Sequence, residues 1–524
     1  MTSFERRSLW WRDAVVYQVY PRSWQDTDGN GVGDIPGIIS RLDHLVELGV
    51  DALWVSPVYT SPMADFGYDV ADYTDIDPIF GTLADADRLI AECHRRGIYL
   101  LMDFVPNHSS DQHPWFQASR SSRDDPKRDW YVWRDPGPDG GVPNNWQSSS
   151  GGPAWEWDEA TGQYYLHKFL PQQPDLNWRN PAVRDAMLDA MRFWFERGVD
   201  GFRLDVVYQC IEDAEFRDDP VNPDYDPETD PPFEAVRPLH STDRDEVMEL
   251  VVNPMRRLAD EMGDRLLVGE IYLPFERLVR YYGEDDTGVQ LPFNFALIGA
   301  EWSAPALAGL IAEYESHLEP RHWPNWVLGN HDKSRIATRV GPEQARVAAM
   351  LLLTLRGTPT IYYGDEIGMS DAHIPPDRVR DRWEENMPGL GEGRDPCRTP
   401  MHWTAAEHGD FCPDDVEPWL PMGDNGNVAA QEADPASMLN LHKNLLKLRR
   451  EHAAVMRGSL TVRHEGDVLL LERDHEGERV RVALNVSSRP QSLPEGWSGK
   501  VLLSTHPEGD GTRLRASEGV VLSV

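Results

Sequence analysis

With 524 residues the chain is long enough for a large barrel and a smaller companion domain. Its 51 Lys+Arg against 88 Asp+Glu give a net charge of −37, which repels phosphate backbones and anionic lipid surfaces and makes nucleic acid and membranes poor partners. Acidity alone could mean disorder, but 40% hydrophobic residues and 19 tryptophans supply a core, so the chain should fold.

The first residues, Met1 to Trp10, carry no apolar signal core, and no apolar run is long enough to cross a bilayer, so a cytoplasmic protein is expected. Close behind lies Asp26-Thr-Asp-Gly-Asn-Gly-Val-Gly-Asp34. Oxygen donors at Asp26, Asp28 and Asn30, the Val32 carbonyl and Asp34, with a turn glycine at Gly31, match the opening of a calcium loop. The closing acidic residue of an EF-hand would fall at Gly37, so the loop reads as a hard-cation site of another kind. A metal-free Asx-rich turn is the bland alternative.

Further along, helices end at Gly49, Gly97, Gly198, Gly263 and Gly357, and β-rich runs follow at once: VDALWVSP, IYLLMDF, VDGFRLD, DRLLVGE and TPTIYYGDE. Such near-continuous apolar runs suit a parallel sheet covered on both faces. Their endings are polar: Ser56, Asp103 with Asn107 and His108, Asp205, Glu270, His331 with Asp332, and Asp365 with Glu366. Polar chemistry gathered at strand C-terminal ends predicts an α/β fold of the (β/α)8 TIM-barrel type. A doubly wound sheet is the competitor, but no G-x-G-x-x-G loop follows the first strand near residues 15–20.

The predicted domains follow from the interruptions. Residues 1–108 form the first part of the barrel, and residues 109–178, rich in Trp, Pro and Gly, are too long for an ordinary loop and read as a subdomain inserted after the third strand. The barrel resumes over 179–455, with an irregular stretch at 370–435, and alternating runs such as RVRVALNVSS predict an antiparallel β domain over 456–524. Cys93, Cys210, Cys397 and Cys412 are scattered without C-x-x-C and read as reduced thiols, with a Cys397 to Cys412 pair as the alternative.

Arg203 and Asp205 are two apart on one strand and share a face, so the arginine is expected to keep the aspartate ionised, as a carboxylate nucleophile requires. A salt bridge plugging the barrel is the competing reading. Glu270 ends an apolar strand beside Ile271, surroundings that raise a carboxyl pKa and prepare it to donate, or it merely caps a helix. His108 and His331-Asp332 lack metal-ligand spacing and suit hydrogen bonding to a polyhydroxylated ligand. Two carboxyls, a third polar cluster and a Trp-rich wall are the inventory for sugar hydrolysis.

The ordered motifs DFVPNH, QPDLNW, GFRLDV, VGEIY and LGNHD, within matches from VVYQVYPRSW to GRDPCRTPMHW, resemble the α-amylase superfamily (glycoside hydrolase family 13), in its α-glucosidase and oligo-1,6-glucosidase branch. The resemblance implies a retaining double displacement, with Asp205 as nucleophile, Glu270 as acid/base and Asp332 as a third carboxylate on the sugar hydroxyls. It implies that His108, Arg203 and His331 surround the terminal glucose, that Asp65 and Tyr68 recognise its non-reducing hydroxyls, that Arg398 helps close the pocket, and that Phe169 and Gln173 line its entrance. Exo-action on short substrates follows. The Asp26 to Asp34 loop matches a structural Ca2+ or Mg2+ site distant from catalysis, and no organic cofactor is implied.

Val206, directly after the nucleophile, looks like the α-1,6-acting members; packing against the barrel is the alternative. Two departures fall near the acceptor side: Ser150, where the branch often has an aromatic, and Lys333-Ser334, where it often has Gln-Pro. They leave regiochemistry and transglycosylation open. The expected partner is a small neutral α-glucoside, and the expected state is a monomer or weak homo-oligomer. A sucrose isomerase or α-glucosyltransferase of the same superfamily competes, as does a non-catalytic amylase-like binding protein, which the three intact carboxylates disfavour.

Overall fold

The computed structural model describes residues 7–506 and 513–524. Eight short strands organise it: β1 (Val16–Val19), β2 (Ala52–Val55), β3 (Tyr99–Phe104), β4 (Gly201–Leu204), β5 (Leu266–Gly269), β6 (Leu291–Asn294), β7 (Asn325–Val327) and β8 (Thr358–Tyr362). Each pairs in parallel with the next, and β8 returns to β1 to close a barrel. Every residue of the eight is buried, the reason their sequences do not alternate.

The side chains nevertheless alternate between two environments. Val16, Trp54, Leu101, Val268 and Phe293 pack together with Trp10 and Trp11, while Tyr17, Leu53, Leu100, Phe202 and Leu267 pack with the surrounding helices. The first set fills the barrel, and Trp10, stacked on Tyr99 at 3.7 Å, plugs the end where the strands begin. Asp103, Arg203, Asp205 and Glu270 share the parity of that interior set, so they point inward where the strands end. The five junction glycines all have positive φ, from 77° to 121°, as residues just past a helix should. At Gly357 a Cβ would come within 2.4 Å of the Pro324 carbonyl oxygen, so no other residue fits.

Between β3 and the helix Pro181–Arg197 lies a three-stranded antiparallel sheet, ordered Trp133–Arg134, Gln163–Leu166, Trp155–Asp158. Bridges from His108 to Asp175 and from Tyr131 to Leu176 tie it to the barrel rim. After β8, the irregular stretch folds back over the mouth, where the Met401 amide donates to the Ser23 carbonyl and the Trp419 amide to the Gly31 carbonyl. Five antiparallel strands between Ser459 and Ser523 form the last sheet, packed on the helices Ala304–His317 and Pro342–Thr354. The four cysteines are buried and unpaired. A Cys397 to Cys412 disulfide is not formed: Cys397 Sγ donates instead to the Arg394 carbonyl at 3.1 Å, and Cys412 Sγ to the Val416 carbonyl at 3.3 Å. Among the described residues no helix is long and apolar enough to cross a membrane.

Candidate active site

Arg203 stands at the centre of the barrel mouth. Its Nη1 donates to Asp103 Oδ1 at 2.8 Å and to Asp205 Oδ1 at 2.6 Å, and its Nη2 lies 2.6 Å from Glu270 Oε2. The backbone fixes both partners, because the Asp205 amide donates to the Phe104 carbonyl and the Glu270 amide to the Leu204 carbonyl, each on the preceding strand. Among the described residues Asp205 Oδ2 and Glu270 Oε1 have no hydrogen-bond partner, and both residues line a cavity of about 250 Å³.

The sequence predicts that Arg203 keeps Asp205 ionised, but the arginine also serves Asp103 and Glu270, and Asp205 is raised rather than lowered. Three buried carboxylates share one cation; burial pushes Asp205 and Glu270 upward against the pull of Arg203, and their mutual repulsion adds to the rise in Asp205. The three acids therefore titrate together, and each is raised above the usual carboxylate range. Val206 contributes through its backbone: at φ 35° and ψ 41° it is left-handed, a conformation costing a β-branched residue about 1–3 kcal/mol. That turn aims its amide at Glu270 Oε2, 2.8 Å away.

The opposite wall is differently charged. Asp332 accepts from Arg398 Nη2 at 2.9 Å and from His331 Nε2 at 3.2 Å, with Arg394 Nη1 at 3.5 Å. The Gln18 amide donates to His331 Nδ1 at 2.8 Å, which fixes the tautomer, and burial holds His331 neutral. Although burial opposes it, His331, Arg398 and Arg394 keep Asp332 well below the usual carboxylate range. Asp65 is held by Arg394 Nη2 at 2.6 Å and by the Gln173 amide at 3.1 Å, and that amide nitrogen lies 3.0 Å from His108 Nε2. Tyr68 stacks on His331 with centroids 5.2 Å apart and donates its hydroxyl to Asp103 Oδ2.

Ten of the twelve residues placed at the catalytic pocket from sequence, Asp65, Tyr68, His108, Phe169, Gln173, Asp205, Val206, Glu270, His331 and Asp332, line this one cavity. Arg203 and Arg398 lie behind it, and Gln173 is fully buried in its wall rather than at its entrance. Ser150 does not face the acceptor side: its hydroxyl bonds Ser148 and its carbonyl accepts from Asn386, while Ser149 reaches the cavity. Sequence reading missed Arg394, Trp383, Glu392, Phe233 and Tyr272, which also line it. Arg394 sits four residues before Arg398 in the same motif, whereas Phe233 and Trp383 come from irregular segments that offered no periodic signal.

Away from this cavity, oxygens of Asp26, Asp28 and Asp34 all lie within 4.8 Å of one another. Asp26 accepts from the amides of Asp28, Gly29 and Gly31, Asp34 from those of Thr27 and Gly37, and Asn30 Oδ1 from Val32. No ion pair reaches the three carboxylates among the described residues, and burial raises Asp34. Such an oxygen-only donor set fits a hard cation.

Residues 18–458 match the alpha-amylase catalytic-domain model. The chain belongs to the α-amylase family. A family member from Rhizobium meliloti named probable alpha-glucosidase is 42% identical over 91% of this chain and 89% of its own. An oligo-1,6-glucosidase from Halalkalibacterium halodurans is 38% identical over 92% and 91%. The crystal structure of the alpha-glucosyl transfer enzyme XgtA superposes with a TM-score of 0.92 at 38% identity, covering 99% of this chain and 100% of that one. A β/α barrel of this family therefore carries the inward carboxylates.

Proposed function

We propose that the protein is a retaining, exo-acting α-glucosidase that releases α-glucose from the non-reducing end of short, neutral α-glucosides, with a preference for α-1,6 bonds. The observation that carries this is the placement of Asp205 and Glu270 on two arms of one guanidinium, each turning a free oxygen into the same cavity. Carboxyls clamped on one planar group suit the separation of about 5–5.5 Å that retaining enzymes use. Asp205 Oδ2 attacks the anomeric carbon while Glu270, protonated at Oε1, donates to the departing glycosidic oxygen. Glu270 then takes a proton from water as that water displaces Asp205, and the configuration is restored as α.

Asp332, held ionised, binds hydroxyls of the distorted ring, and the Asp65, Arg394, Gln173 and His108 network recognises the non-reducing end. Its buried ion pair lies in the cavity wall and supports exo-action. Val206 lines the cavity directly after Asp205, which supports the linkage preference. Comparing kcat/KM for isomaltose, maltose and sucrose, with NMR of the first anomer formed, tests the proposal. Faster isomaltose turnover and α-glucose are expected; maltose preference overturns the linkage, and initial β-glucose overturns retention.

Glucosyl transfer is a second reading. A cavity of about 840 Å³ adjoins the first and shares Tyr272, Asp332, Lys333, Glu392 and Arg394 with it, so an acceptor sugar has room to replace water. Chromatography of products from concentrated sucrose distinguishes longer oligosaccharides from an isomerised disaccharide. We also propose that Asp26, Asp28 and Asp34 hold a structural Ca2+ or Mg2+, which would offset their crowded charge. Four unpaired thiols support a cytoplasmic location.

A further inference from the structure

A cavity of about 620 Å³ opens beneath the inserted sheet and shares no lining residue with the catalytic cavity. Four arginines line it, Arg123, Arg128, Arg134 and Arg179, in a chain whose net charge is −37. Arg123 and Arg179 are paired, with Asp135 and with Glu212 and Glu246. Arg128 and Arg134 have no ion pair among the described residues.

Arg128 donates to the Ser119 carbonyl, Thr161 and Gln163, lies 3.5 Å over the Trp133 ring, and has a buried Nε without a partner. Arg134 lies 3.5 Å over the Phe216 ring, and its one described hydrogen bond goes to the Trp133 carbonyl at 2.7 Å. Its remaining donors are unspent. Burial lowers the pKa of both, that of Arg128 to about 10, against the opposing pull of Asp158 and Asp135 on Arg128 and of Glu212 and Asp129 on Arg134.

Two carboxylates also line the cavity and are already engaged: Asp129 accepts from Asn177 and Asn180, and Glu212 pairs with Arg179 and Lys168. Asn180 and Pro181 also line the cavity, and they begin the 17-residue helix Pro181–Arg197, whose positive end therefore adds to the arginines. Planar guanidinium groups steadied on aromatic rings favour an anion that accepts at several oxygens.

We propose that this cavity binds a phosphate oxyanion, free or as a sugar phosphate, through Arg134 and Arg128. Calorimetric titration of the full chain at constant ionic strength, with sodium phosphate, glucose 6-phosphate and sodium chloride as probes, tests it. A saturable one-to-one phosphate isotherm absent with chloride is expected, weakened at least about ten-fold in Arg134→Gln. Equal affinity for the two phosphates assigns free phosphate; tighter glucose 6-phosphate binding that also depends on Arg134 assigns the ester. Hydrolysis of a chromogenic α-glucoside by Arg134→Gln should stay within about two-fold of wild type, since the residue lies outside the catalytic cavity. Arg134→Lys, which keeps the charge but loses the planar fork, is the second variant and should also bind phosphate less tightly. Heats that do not saturate, or that both substitutions leave unchanged, overturn the proposal.

Discussion

Two charged clusters face one another across the same cavity and are built in opposite ways. Around Arg203, three carboxylates share a single cation, whereas Asp65, Asp332 and Asp381 are held by two arginines and the His331 ring N–H. Both are buried except for the partly exposed Asp332, so burial alone does not decide protonation. The ratio of cations to carboxylates does: Asp205 and Glu270 in the first cluster are raised, as an acid/base residue needs, and Asp332 and Asp381 in the second are lowered, as steady recognition of hydroxyls needs.

Removing a carboxylate from the first cluster gives the largest expected effect. Asp205→Asn should lower kcat by about 10³-fold or more without lowering Tm, because it relieves repulsion among the three acids. A variant that loses activity and also Tm would show that the cluster is a stabilising salt bridge after all. Removing a cation from the second cluster should do the reverse. Arg394→Met leaves Asp65 and Asp381 buried without their guanidinium, for a cost of about 3–5 kcal/mol in denaturant unfolding, together with a raised KM. Wild-type stability in that variant would break the contrast.

How much of this was legible depended on periodicity. The five glycine junctions announced five barrel strands because helix ends and buried strands both leave local signals, while β6, only Leu291–Asn294 and interrupted by Pro292, follows no such junction. Asp205, Glu270 and Asp332 were legible because they end apolar runs. The sharing of Arg203 was not, since the register that sets Asp103 beside Arg203 is a tertiary fact. Arg394, Trp383 and Phe233 reach the cavity from irregular segments, whose course depends on what they pack against.

The contrast sharpens with pH. Burial opposes ionisation of Asp381, but Arg394 holds its pKa at about 2, so its stabilisation is present above the unfolded value of about 3.9 and is lost as pH falls through 2. Glu270 is raised, so its stabilisation is present below its unfolded value and is lost as pH rises through the folded one. Tm measured against pH should lose part of its acid limb in Asp381→Asn and part of its decline toward neutral pH in Glu270→Gln. The basic limb of kcat/KM should also lie above the ordinary glutamate range. Parallel Tm profiles for wild type and both variants would remove the distinction between the clusters.

A third acidic cluster carries the comparison to its limit. Asp26, Asp28 and Asp34 have backbone donors but no arginine or lysine in ion-pair range among the described residues, so no protein cation balances them. The cation proposed for this loop would supply positive charge, and one that binds only the folded chain adds stability by mass action. Chelation with EDTA should lower Tm by a few degrees, at most about 3 kcal/mol for a site filled at a hundred times its Kd, and leave kcat below the transition unchanged. Calcium or magnesium, whichever restores Tm at lower concentration, would be the ion the proposed site prefers. Asp28→Asn separates the two accounts of the loop, because it should weaken the EDTA effect if a cation is held there. A turn that needs no metal should instead gain stability from the loss of one like charge, with no response to EDTA.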